Sequence, residues 1–146
     1  MTSRRHADHV VSARVRIPAP ITRVWRAITE PGELLQWYAP GCRWEIPALQ
    51  VGAPVRFFNS ETDVQSAVIE RCAPPGELAL RWTPDPALPT TTLLNTYELR
   101  SDEVGTLVTI SQSGYSSVPE GQRTAWIRAD EGAFRAIASA LAAHLR

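Results

Sequence analysis

Asp130 is the residue whose surroundings most need a chemical explanation. It falls in the middle of an apolar arc, four residues after Trp126 and four before Phe134. An ionised carboxylate on a dry face is costly unless it is paired or hydrogen-bonded. Desolvation disfavours the charged form of a carboxyl, which fits such a group for general acid or base work. Two period-two runs bring it company. Leu93, Asn95, Tyr97 and Leu99 share one face of the first, and Val108, Ile110 and Gln112 share one face of the second. Asp130, Asn95, Tyr97 and Gln112 would then be the polar fixing points of an otherwise apolar pocket, with Asp130 and Tyr97 as its acid/base candidates. A plainer account stands beside this one. If the helix starts or kinks near Gly132, Asp130 caps it or bonds Arg123 or Arg43 at the surface.

The aromatic residues raise the same choice. Trp37 and Tyr38 end a short amphipathic segment, Trp82 continues the face of Leu78 and Leu80, and Trp126 and Phe134 lie on the last amphipathic segment. Rings this frequent can stack on a flat ligand. For any single one of them, core packing is the favoured account.

Other chemistries find little support. His6, Asp8 and His9 stand close together, but in a polar stretch, residues 1–8 with its neighbour, that reads as a flexible tail, so no metal site is expected. No histidine falls among the strand candidates, so no Ser-His-Asp set can be assembled. Cys42 and Cys72 have no neighbouring histidine and read as inert free thiols. Gly32, Gly41 and Gly52 are isolated, so there is no phosphate-binding loop, and no cofactor is expected. The 15 basic residues are all arginine and balance 15 acidic ones. Net charge is therefore zero and the arginines are scattered, which argues against nucleic acid or an anionic membrane as partner. No apolar run reaches the ~20 residues of a membrane span. The N-terminus has no apolar signal-peptide core. A cytoplasmic location is expected.

The elements that position these residues can be read in order. Val11, Ala13, Val15 and Ile17 alternate with polar residues, which predicts a strand with one dry face. Pro18 and Pro20 stop it, and Pro20 suits the first turn of a helix. Ile21, Val24, Trp25 and Ile28 share a helical face. Pro31 opens a second short helix, with Glu30 or Thr29 as cap and Leu34, Leu35, Trp37 and Tyr38 as its apolar side. Strands are expected at 43–46, 54–59, 64–72, 77–82, 93–100 and 106–113, separated by short turns. The closing helix, 119–146, carries Trp126, Ala133, Phe134, Ile137, Leu141 and Leu145 on one arc. Gly132 inside it costs ~1 kcal/mol relative to alanine, so it marks either a close approach or a kink. This order predicts an α+β fold: a curved antiparallel sheet around a long C-terminal helix, with two short helices after the first strand. One domain over residues 9–146 accounts for it.

The stretch IPAPITRVWRAITEPGELLQWY resembles the opening motif of the heat-shock-protein-90 ATPase activator homologue-like branch of the SRPBCC (START/birch-allergen-like) superfamily. The turn APPGELALRW, the hairpin ending GTLVTISQSG and the closing EGAFRAIASALAAHL extend the resemblance from about Val10 to Leu145. It implies a helix-grip fold with a deep apolar cavity between sheet and C-terminal helix, its entrance near Trp37 and Tyr38. Two departures stand out. Ala133-Phe134 occupies the place of a usual Gly-Trp, and Asn95 takes an inward position that is usually apolar. The family's eukaryotic namesake has a separate N-terminal domain that contributes to chaperone stimulation. These 146 residues leave no room for one, so a chaperone partner is not expected.

The leading functional reading is a protein that binds a small hydrophobic or aromatic molecule through Trp37, Tyr38, Trp82, Asn95, Tyr97, Gln112, Trp126, Asp130 and Phe134. The resemblance keeps two alternatives open. One is a polyketide cyclase or aromatase-like enzyme using Asp130 and Tyr97. The other is a chaperone-associated interaction module. An exposed edge strand would allow a weak homodimer.

Overall fold

The computed structural model describes residues 9–146; the expected tail, and with it His6 and Asp8, lies outside the described residues. Seven strands form one antiparallel sheet: β1 (Val11–Ile17), β2 (Arg43–Glu45), β3 (Pro54–Phe58), β4 (Val64–Ala73), β5 (Glu77–Trp82), β6 (Leu94–Ser101) and β7 (Thr106–Ser113). Their spatial order is β1-β7-β6-β5-β4-β3-β2. Of the five hairpin connections from β2 to β7, three are short turns and two are longer irregular stretches, 46–53 and 83–93; only β1 pairs with a distant strand, Val11 opposite Gln112. The register of β4 on β5 shifts between Ile69 and Arg71, a bulge of the kind that bends a strand and sharpens its twist.

Because β1 and β2 are the two edges, the chain between them must cross the end of the curved sheet. Helices α1 (Ile21–Thr29) and α2 (Pro31–Trp37) make that crossing. In α1 the helical spacing buries Val24, Trp25, Ala27 and Ile28, and in α2 it buries Leu34 and Trp37. Each of the large side chains among them contributes about 1.5–3 kcal/mol by leaving water. The Trp37 indole donates to the Ala27 carbonyl at 2.9 Å, which fixes α2 on α1. Pro31 sits in the first turn of α2 and Glu30 is its N-cap, though without a side-chain capping bond. Leu35, expected on the apolar side, is 62% exposed instead. It follows Leu34 directly, and adjacent helical residues point about 100° apart.

Helix α3 (Glu120–His144) is unbroken and lies against β1, burying Phe134, Ala138, Leu141 and Leu145. Ala133, placed on the apolar arc by its spacing, faces solvent. Gly132 marks neither a kink nor a close approach: a Cβ there would meet only Arg135 Nη2, at 4.0 Å. Between β7 and α3 a 3-10 turn spans Tyr115–Ser117. Gly114 leads into it with φ +97°, and a Cβ there would come within 2.5 Å of the Thr92 carbonyl oxygen. Only glycine fits so tight a turn, and the turn delivers Tyr115 to the interior with no exposed surface.

The curved antiparallel sheet, the long C-terminal helix and the two short helices after β1 are those of a helix-grip fold. Among the described residues no helix is long and apolar enough to cross a membrane.

Candidate functional site

Alternation sets the chemistry of the concave face. On β6, Asn95, Tyr97 and Leu99 are buried, and on β7, Val108, Ile110 and Gln112. The register places Asn95 opposite Gln112 and Tyr97 opposite Ile110. The inward polar residues therefore occupy adjacent rows of one surface. They nevertheless belong to two different places.

The first place is an apolar cavity between the sheet and helices α1 and α2. Its walls are Ile28, Leu34, Val55, Ile69, Leu78 and Leu80, with Ile46 and Leu49 contributed by the irregular chain after β2. Trp44 and Tyr97 are the lining residues that carry a polar side-chain atom, and no lining residue is charged. The resemblance implied a deep cavity; this one is nearly filled. The space that a water's centre can reach is about 10 Å³, room for roughly one water. Burial raises the Tyr97 hydroxyl well above the usual phenol range, and nearby Tyr38 adds to the shift, so Tyr97 remains a neutral phenol.

A cluster of rings packs around Trp44 of the cavity wall. Tyr38 meets Trp44 edge-on at 5.3 Å and Phe57 at 5.5 Å, Trp44 lies 4.6 Å from Phe57, and Trp82 extends the cluster at 5.9 Å from Trp44. Trp37 joins it through Tyr38 at 5.5 Å. Edge-to-face and tilted pairs at these separations are favourable aromatic contacts. Tyr38 and Trp82 are half-buried. Burial raises the Tyr38 phenol too, with Cys42 contributing.

The second place lies beneath the N-terminal half of α3. Oδ2 of Asp130 accepts a hydrogen bond from the Tyr115 hydroxyl at 2.7 Å and another from Gln112 Nε2 at 3.0 Å. Asp130 neither caps a helix nor bonds Arg123 or Arg43. Arg123 donates instead to the backbone carbonyls of Tyr115 and Val118, at 2.8 and 2.9 Å, while Arg43 pairs with Glu45. Asn95 is spent on the Ser111 carbonyl at 3.0 Å. Tyr115 stays a neutral donor, because burial and its bond to Asp130 both raise it.

The structure joins Asp130 to Gln112 and to the Tyr115 phenol, while Tyr97 lines the cavity. Tyr115 was missed because it follows the end of a strand and shares no periodic face. The one available signal was Gly114 before it, a glycine closing a strand just ahead of a helix. Trp126 is half-buried and Phe134 buried, both on α3 and neither on the cavity wall.

A third polar group clasps α2 to the end of α3. His144 Nε2 lies 2.7 Å from Glu33 Oε1, and Arg23 Nη1 lies 3.0 Å from Glu33 Oε2. His144 also stacks on Trp37. Among the described residues no group of three histidine, cysteine or acidic side chains is placed to hold a metal ion. Cys42 and Cys72 are free thiols.

This architecture has close structural counterparts. A protein from Mesorhizobium loti superposes with a TM-score of 0.78 at 21% identity, covering 94% of this chain and 96% of that one. DynU16, described as a protein in the dynemicin biosynthetic locus, matches with a TM-score of 0.76 at 22% identity. The match covers 94% of this chain and 47% of DynU16, so the chain spans about half its length. CalU16 from Micromonospora echinospora matches with a TM-score of 0.62 at 20% identity, over 90% of this chain and 74% of that one. At such identities the likeness concerns the fold alone. No curated protein matches the chain in sequence. A family model does: that of the activator of Hsp90 ATPase homolog 1-like proteins, over residues 18–146. That match takes in both short helices, six of the seven strands and the whole of α3, and the chain belongs to this family.

Proposed function

We propose that this protein binds a small, uncharged, hydrophobic or aromatic molecule in the cavity between the sheet and helices α1 and α2. The observation that carries the reading is the lining itself: aliphatic walls, one indole and one neutral phenol, and no charged side chain. Pockets for small apolar ligands have this composition, a few polar atoms on a dry wall. A ligand of ordinary size needs roughly 300–1,000 Å³, so binding must open the cavity. Ile46 and Leu49 are the lining residues outside regular structure, and Leu49 is 39% exposed. Their displacement opens the cavity without breaking a strand.

An acid–base enzyme of the cyclase type receives less support. Asp130 is engaged by Tyr115 and Gln112, while Tyr97 lines the cavity. Catalysis by this pair would need both groups at one reacting atom.

The test is a thermal-shift series on the purified protein with planar aromatic, flavonoid, fatty-acid and sterol-like compounds, with native mass spectrometry for co-purified molecules. The expected result is a rise in Tm that grows with the excess of one class. No shift with any class, and no bound mass, would refute the reading.

A further inference from the structure

Two buried side-chain atoms have no hydrogen-bond partner among the described residues: Arg23 Nη1 and Trp44 Nε1. The first is compensated by charge, since it lies 3.0 Å from Glu33 Oε2. The second has nothing comparable. Trp44 is 6% exposed, lines the cavity and leaves a buried N–H unanswered. A buried donor without a partner is costly, and native interiors leave few of them. Where one occurs on a cavity wall, an incoming acceptor recovers that cost on binding.

We infer that the cavity's ligand is a neutral planar aromatic compound bearing a carbonyl-type oxygen, and that Trp44 Nε1 donates to that oxygen. This rests on the binding reading above and narrows it. Each part follows from the wall. An indole N–H donates and cannot accept, so the complementary atom is an acceptor. No lining residue is charged, so a carboxylate or phosphate would lose its hydration without a counter-ion. The acceptor is therefore neutral. Tyr97, the other lining residue with a polar atom, offers a hydroxyl that can donate to the same oxygen. The Trp44 indole and the Tyr97 ring are themselves the aromatic surface of the wall, and Phe57 and Trp82, outside the lining, pack on Trp44. Flat rings gain most from such surroundings.

The test uses two probes of nearly identical shape, fluorene and 9-fluorenone, which differ by a CH₂ against a C=O. Kd is measured by calorimetry for the wild-type protein, Trp44→Phe and Tyr97→Phe. Fluorenone should bind wild type roughly tenfold tighter than fluorene, the usual worth of a buried donor that gains its acceptor. That preference, read as the ratio of the two Kd values within each protein, should vanish in Trp44→Phe and narrow in Tyr97→Phe. The wild-type comparison needs no variant, so a misfolded Trp44→Phe would not spare the inference. Equal affinities for the two probes in wild type would overturn it and leave the binding reading standing. A preference that survives in Trp44→Phe would also overturn it. Binding of neither probe would overturn the inference as well, while the binding reading is decided by the thermal-shift series.

Discussion

The hydroxyl of Tyr115 donates to Oδ2 of Asp130 across 2.7 Å, tying a fully buried turn residue to the middle of the C-terminal helix. Gln112 Nε2 reaches the same oxygen from the end of β7. Two donors on one carboxylate oxygen make charge-assisted bonds, stronger than neutral ones. Tyr115→Phe removes one donor and leaves the other, and should cost about 1–3 kcal/mol. Asp130→Ala strands both donors and should cost more. The two losses should not add in the double variant, because they remove the same contact. Urea unfolding of the four proteins gives the coupling directly. Additive losses would show that the network is not a unit.

The first and last parts of that network differ in how far sequence could reach them. Gln112 and Asp130 sit at defined positions of a period-two and a 3.6-residue pattern, so their faces could be read. Strand and helix positions followed for the same reason: apolar alternation, Pro20 and Pro31 at helix starts, and short turns between strands. Tyr115 obeys no period, and its inward course follows the left-handed Gly114, whose backbone lies close against Thr92 and Leu93. The filled state of the cavity was equally out of reach. It depends on how the segment carrying Trp44, Ile46 and Leu49 meets Val55, Ile69 and Leu80 of other strands, which no local pattern brings together.

Glu33 ties stability to pH. Its carboxyl is held below the usual glutamate range, first by the hydrogen bond to His144 and then by Arg23, against burial that pushes it up. A depressed carboxyl contributes stability that is complete above its unfolded value of about 4.3 and is lost as pH falls through the lower folded value. Wild type should therefore exceed Glu33→Gln in urea midpoint by a constant margin above about pH 5. The margin should shrink on acidification below that. A margin independent of pH down to 2.5 would show that the Glu33 charge contributes nothing.

Two glycines should respond in opposite directions to alanine. At Gly132 the helix is regular and a Cβ meets open space, so Gly132→Ala should stabilise by about 1 kcal/mol. At Gly114 a Cβ would lie 2.5 Å from Thr92 O on a backbone with φ +97°. Gly114→Ala should destabilise by about 2 kcal/mol or more, since strained backbone and a backbone clash combine. Thermal unfolding of both variants decides the signs. A destabilised Gly132→Ala would mean that the surface beside this glycine is covered in the native protein.

Access to the cavity should run past Leu49. The chain here is anchored at its far end, where Gly52 N–H donates to Ile69 O at 2.8 Å and Ala53 N–H to Gln50 O at 3.0 Å. Leu49 itself touches the sheet through the Cys72 thiol, 3.7 Å from its carbonyl oxygen. A side chain that is 39% exposed yet lines the cavity closes a mouth rather than a core. Leu49→Ala shortens that closure and leaves the walls in place. Association of fluorenone should then speed up severalfold, and dissociation should rise in parallel, because a gate lowers or raises both barriers together. Kd should move much less than either rate. Stopped-flow tryptophan fluorescence reads both rates, since Trp44 borders the cavity and Trp82 adjoins Trp44. Unchanged rates with an unchanged Kd would place the route elsewhere, and the half-buried Trp82 of the ring cluster would be the next position to vary.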